Sequence, residues 1–178
     1  MIGMECDILV IGAGILGLSS AYHLKKGNPG KRVVVVDRHG SPGQGNSAKS
    51  EGGYRNLFTS ETNYLLADST IDFFEHLEGD LGHDIKLARI GYLFLYSEEQ
   101  YSRMKEAFDR VEERGTETRI IGKEELQKTI PGLVTDFGDD EEVELLGLEP
   151  VDLGVFGAKC GGVDADALVR AYRRSSSS

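Results

Sequence analysis

The sequence is poor in cysteine, in basic charge and in long apolar runs. Cys6 and Cys160 are the only 2 cysteines in 178 residues. They lie far apart in no metal or redox spacing, and read as two small core residues. Lys plus Arg number 20 against 30 for Asp plus Glu, a formal net charge of −10. That balance argues against nucleic acid or an anionic membrane surface as a partner. No apolar run approaches the ~20 residues of a membrane span. The opening MIGMECDILV has no basic stretch ahead of its apolar residues, so no signal peptide is expected there. There is no internal repeat. Together these absences point to a cytoplasmic globular protein of one domain, or one and a fraction.

What is present begins at Asp7, with DILVIGAGILGLSSAYHLKKGNPGKRVVVVDR. A short aliphatic run, Ile8 to Ile11, reads as a strand and leads into Gly12-Ala13-Gly14-Ile15-Leu16-Gly17. An apolar-periodic helix follows, with Lys25 and Lys26 in its last turn and Gly27 expected just past it. A second run, Val33 to Val36, ends in Asp37.

Each residue type in this order has a physical use. Gly12 permits a tight exit from the strand, Gly14 lets backbone approach a pyrophosphate, and Gly17 lets the helix pack closely. The helix N-terminus offers free N–H groups and a positive dipole end to phosphates. An acid about 20 residues past the turn can accept hydrogen bonds from a ribose, and Asp37 is in that place. The turn from Ile11 to Gly17 (Ile11, Gly12, Ala13, Gly14, Ile15, Leu16, Gly17) is thus a candidate dinucleotide cradle. An ordinary βαβ unit would leave these glycines and the terminal acid unexplained.

Gly40 to Glu51 has loop composition and leaves directly from the ribose-binding end of the second strand. Long loops inside compact domains are usually functional. Helices are expected from Thr62 to Leu77, and from a capping-box sequence at Ser97–Gln100 to Arg114. A short helix is expected over Lys123 to Thr129. Ile90 to Tyr96 and Arg119 to Ile121 read as strands. Asp136 to Glu144 reads as a solvated acidic loop rather than a metal site, and Glu149 to Gly162 as irregular with possible short strands. Asp164 then caps a last helix. The four serines from Ser175 to Ser178 read as an added tail or a flexible linker.

The fold class expected is α/β: a Rossmann-like βαβ dinucleotide-binding domain with an inserted α+β segment. The first part of the dinucleotide domain would be 1–87, the insertion 88–151, and the return 152–174. No third β-branched run follows Asp37 within the next ~50 residues, which favours an insertion over a simple run of β-α units.

At this point the sequence resembles a family. DILVIGAGILGLSSAYHL followed by VVVVDR is similar to the amino end of FAD-dependent oxidoreductases of the D-amino-acid oxidase, glycine oxidase and sarcosine oxidase type. GNSAKSEGGYRNLF resembles the flavin-facing loop of the sarcosine oxidase β-subunit and proline dehydrogenase branch. IGYLFLYSEEQ resembles the start of that family's substrate domain, and GGVDADALVRAYRR its re-entry into the FAD domain. The resemblance implies that Gly12, Gly14 and Gly17 surround the FAD pyrophosphate. It implies that Asp37 binds the adenosine ribose with Arg38 beside it, and that Ser47, Lys49, Ser50, Gly52 and Gly53 line the flavin.

Arg55 would be the cation near the flavin ring, in the catalytic role. Three residues on, monomeric sarcosine oxidases carry an arginine for the substrate carboxylate; here Phe58 stands there. The implied reaction is oxidation of the C–N bond of a small amine or amino acid, with partner subunits a possibility in this branch. Two other readings stand beside it: an NAD-dependent dehydrogenase, and a non-catalytic flavin-binding subunit or assembly factor.

Overall fold

The computed structural model describes residues 5–138 and 141–175. The chain forms two compact units, the first from residues up to Gly53, Asp72–Ala88 and Gly162 onward. The second holds Tyr54–Ile71 and Arg89–Gly161. Among the described residues no helix is long and apolar enough to cross a membrane.

The first unit is built on β1 (Ile8–Ile11), α1 (Ile15–Gly27) and β2 (Val33–Val36). The strands pair in parallel, Ile8 with Val33 through Ile11 with Val36. Gly27 is the last helical residue rather than the stop, which falls at Asn28. The Asn28 side chain donates to the Leu24 carbonyl at 3.0 Å and satisfies an end group the helix cannot. Nearer the far end of the chain, α6 (Ala165–Ser175) starts as expected, with the Asp164 carboxylate accepting from the Ala167 N–H at 2.7 Å. Leu168, Val169 and Tyr172 are buried. Tyr172 stacks on Phe73 at 5.6 Å and meets Tyr22 edge-on at 5.8 Å, so rings from α1, α6 and the chain between fill this core.

Two strands of two residues, β3 (Gly53–Tyr54) and β7 (Gly161–Gly162), fall at the unit boundaries. α2 (Glu61–Gly79) buries Ile71, Phe74 and Leu77 along one stripe, the periodicity read from sequence.

The second unit holds an antiparallel sheet of β4 (Tyr92–Tyr96), β5 (Thr118–Gly122) and β6 (Leu153–Gly157), with β6 in the middle. α3 (Glu98–Glu113) opens with the expected capping box. The Ser97 hydroxyl accepts from the Gln100 N–H and the Gln100 side chain from the Ser97 N–H. Ser97 also donates to Glu149. α4 (Lys123–Thr129) follows β5 directly and buries Leu126.

Four expectations are corrected. First, β6 is the central strand of a sheet, where irregular chain with possible short strands was expected. Its glycines hid it: a Cβ on Gly154 would lie 2.7 Å from Leu93, and one on Gly157 2.7 Å from Leu57. Crowding demands glycine in a strand whose propensity glycine lowers. Second, the acidic stretch contains a helix, α5 (Glu141–Leu146), with three glutamates in its first turn, where the dipole favours them. The Asp139-Asp140 part of that stretch lies outside the described residues, as do residues 1–4 of the opening and Ser176 to Ser178 of the tail; Ser175 ends α6. Third, the unit boundaries differ from the expected 88–151 insertion. The pairing of β6 with both β4 and β5 keeps the chain in the second unit to Gly161, and 54–71 belongs there too. Fourth, Cys160 is buried but Cys6 is exposed.

The second unit's loop after Gly53 is anchored by Asn56, which is fully buried. Its amide donates to Asp68 at 2.9 Å and its carbonyl oxygen faces the Cys160 thiol at 3.8 Å. Asn56→Ala is expected to destabilise the protein by about 1–3 kcal/mol, because it strands the buried partners. Urea denaturation measures this, and a midpoint equal to wild type would refute it.

Candidate functional site

The turn after β1 owes its shape to two glycines. Gly12 has φ +110°, a conformation side chains avoid, and its N–H donates to the Val36 carbonyl at 2.7 Å. A Cβ on Gly17 would stand 1.8 Å from the Gly12 carbonyl oxygen. The first turn of α1 therefore lies directly on the strand exit, and nothing larger than hydrogen fits between them.

Above this contact the helix N-terminus is open to a ligand. Gly14 is the N-cap and supplies no side-chain cap. The Ile15 N–H donates to the Ser47 hydroxyl at 2.9 Å, while Leu16 and Gly17 lie too early in the helix for an intrahelical partner. Ser47 sits in a single 3-10 turn, Asn46–Lys49, within the long loop. The same loop is tied to the glycine turn by the Gly43 N–H, which donates to the Ala13 carbonyl at 2.9 Å.

Asp37 closes the other side. One carboxylate oxygen accepts from the Ala13 N–H at 2.6 Å and the other from the His39 N–H at 2.8 Å. These donors, Ala13 first, hold the Asp37 carboxyl below the ordinary aspartate value of 3.8. A carboxylate has about four acceptor positions, so two backbone bonds leave room for hydroxyl donors.

The result is a cleft of about 400 Å³ lined by Ile11, Gly12, Gly14, Val36, Asp37, Arg38, His39, Gln44 and Gly45. It offers unpaired N–H groups for a diphosphate and a fixed acid for a vicinal diol. Of the residues expected from sequence, Ile11, Gly12, Gly14, Asp37 and Arg38 line it. Ala13, Ile15, Leu16 and Gly17 form the turn and helix start beneath or beside it, and Ser47 bonds that start.

Lys49, Ser50, Gly52 and Gly53 do not line this cleft. Lys49 is exposed at the end of the 3-10 turn. The Ser50 hydroxyl accepts from the Gly52 N–H at 3.1 Å. Gly52 has φ +71°, and a Cβ there would lie 1.9 Å from the Val163 carbonyl, so packing alone requires glycine. Gly53 begins β3. Arg55 belongs to the second unit, where its guanidinium stands 5.4 Å from the ring centres of both Phe58 and Phe94. Sequence reasoning missed Val36, His39, Gln44 and Gly45; the glycine-rich composition around Gln44 was the available signal. Among the described residues there is no group of three or more His, Cys, Asp or Glu side chains that could hold a metal ion.

A family model described as FAD dependent oxidoreductase (DAO) matches residues 7–177. The chain belongs to this family. Its FAD-dependent oxidoreductase domain-containing protein 1 relative from Xenopus laevis is 29% identical over 74% of this chain and 28% of that protein. Sarcosine oxidase subunit beta of Rhodobacter capsulatus is 28% identical over 70% of this chain and 30% of that protein. Among solved structures, L-proline dehydrogenase from P. horikoshii superposes with a TM-score of 0.79 at 23% identity, over 99% of this chain and 42% of that one. The last likeness is one of fold. The chain thus spans under a third of the length of these two curated relatives. FAD, not NAD, is the cofactor of the family, and the glycine turn suits it: a side chain would strain Gly12 at φ +110°, and a Cβ on Gly17 would meet the Gly12 carbonyl oxygen.

Gly17→Ala is expected to cost about 3 kcal/mol, the upper part of the overpacking range, because the obstructing atom is backbone. It should also abolish FAD uptake, read by flavin fluorescence; an alanine variant that binds FAD as wild type would refute the steric argument. The Asp37 tie has a defined pH window. Its pKa is lowered on folding, so the tie is fully present above 3.8 and is lost as pH falls through the lowered folded value. An NMR titration should place the Asp37 carboxyl below 3.8 and show the Ala13 N–H shifting with it.

Proposed function

We propose that the protein is an FAD-dependent oxidoreductase acting on the C–N bond of a small amine or amino acid, of the sarcosine, glycine, proline or D-amino-acid type. The observation that carries this reading is the cleft in which the open α1 N-terminus and the bonded Asp37 carboxylate flank one glycine turn. The likeness to a sarcosine oxidase subunit supports an amine or amino acid as the substrate class.

Bound FAD supplies the hydride acceptor for the carbon beside the amine nitrogen. The chain's own part is binding and electrostatics. The first-turn N–H groups and Ser47 hold the diphosphate, Asp37 and Arg38 hold the adenosine end, and Lys49, Ser50, Gly52 and Gly53 carry the loop toward the flavin. Arg55 is assigned the catalytic cation that favours negative charge on the reduced ring. Its guanidinium lies 5.4 Å from two aromatic ring centres, and among the described residues no ion pair joins it to a carboxylate. Phe58, in place of an arginine, removes one carboxylate grip and favours a substrate held elsewhere or lacking that carboxylate. The low cysteine content, with both thiols free, suits the cytoplasm. The subunit beta relative suggests partner subunits.

The test is an anaerobic visible spectrum before and after adding sarcosine, glycine, proline and D-alanine to the full-length protein. Bleaching by one of them is expected, and Arg55→Ala should slow it by about 10²-fold with Arg55→Lys restoring most of the rate. A flavin that none of these or related amines reduces would favour a non-catalytic flavin-binding subunit and overturn the assignment.

A further inference from the structure

The first unit carries a second cleft, of about 350 Å³, between the segment following β2 and α6. Its charged lining comes from one helix: Asp166, Arg170 and Arg173. Spacings of four and three place the three on one face, separated by about 6 Å and 4.5 Å of helical rise. On a chain of net charge −10, two guanidinium groups in one cleft are a local reversal of sign. Asp166 and Arg170 stand at the spacing at which helical ion pairs form. Among the described residues no ion pair joins them, and Arg170 has no hydrogen-bond partner there. Pro42, Ala48 and Val169 add an apolar wall.

Two cations beside one carboxylate, in a cleft within the range of about 300–1,000 Å³ that suits small ligands, complement a small zwitterion. Arginine recognises carboxylates through paired N–H donors, and Asp166 supplies the counter-charge for an ammonium group. We propose that this cleft binds a small amino carboxylate, its carboxylate on Arg170 and its ammonium on Asp166.

The site is separate from the cofactor cleft but shares a wall with it. Gln44 lines both. Val169 methyl carbons lie 3.1 and 3.3 Å from where a Gly43 Cβ would stand, and the Gly43 N–H bonds the glycine turn. A ligand that presses this loop changes FAD affinity, and FAD changes the ligand's affinity by the same factor.

Glycine and its two halves, acetate and methylamine, test the charge pattern by calorimetric titration of the FAD-bound protein. Glycine should bind more tightly than either half. Arg170→Ala should weaken glycine and acetate by at least tenfold and leave methylamine unchanged. Asp166→Asn should weaken glycine and methylamine and leave acetate unchanged. Neither substitution should alter flavin reduction by the true substrate in the absence of glycine, since neither residue lines the cofactor cleft. Glycine that fails to bind, binds no better than acetate, or binds both variants as it binds wild type overturns the proposal. The last result would assign any glycine binding to the flavin site alone.

Discussion

Asp37 joins two segments that the chain separates by 24 residues, and the cofactor cleft depends on that junction. Its carboxylate takes the Ala13 N–H from the middle of the glycine turn, while the Gly12 N–H reaches back to the Val36 carbonyl. The turn is therefore fixed to the end of β2 on both sides of one peptide. Without this pair of bonds, Gly12 at φ +110° would be a flexible exit rather than a shaped one. The acid also stays charged because those N–H groups favour the carboxylate, so the bonds that build the turn prepare the ribose acceptor.

The same economy runs through the loop after β2. Ser47 caps the Ile15 N–H, which fixes the loop to the start of α1. Its hydroxyl proton remains available to an anion arriving at the helix N-terminus. Gly43 disfavours a side chain through its φ of +79° and the close methyls of Val169, and its N–H closes on Ala13. The loop is long, yet backbone and hydroxyl bonds at Gly43, Ser47 and Ser50 give it a definite course. A loop held this way can present backbone to a cofactor without the entropy cost of ordering it on binding.

The sequence was most legible where a residue type has a single physical use. The glycine turn, the acid after β2, the Ser97–Gln100 capping box and the stripe through Leu77 all have local causes, and the structure contains each of them. It was least legible where the cause lies elsewhere in the chain. Gly154 and Gly157 look like loop residues until Leu93, Leu126 and Leu57 are seen occupying the space of their side chains. Gly52 looked like a flavin contact, and the structure gives it an independent reason in the Val163 carbonyl. His39, Gln44 and Gly45 shape the cofactor cleft through position alone, with no chemistry in their spacing to announce it. The acids of the first turn of α5 read as solvated, and Glu141, Glu142 and Glu144 are exposed, but at a helix start they also favour the helix.

These two kinds of legibility divide the functional problem. Under the proposed function, the cofactor would be recognised mainly through backbone N–H groups, absent side chains and one acid. On the same proposal, substrate choice would rest instead on side chains such as Arg55 and Phe58, where a single replacement changes the chemistry presented. Here the guanidinium stands 5.4 Å from the ring centres of both Phe58 and Phe94, so Phe58 helps to hold that cation in place. A Phe58→Arg reversal would thus add a second positive charge beside Arg55 and remove one of its aromatic supports at once. Both effects act against Arg55 in its present place, so an arginine at position 58 would be expected to displace Arg55 as well.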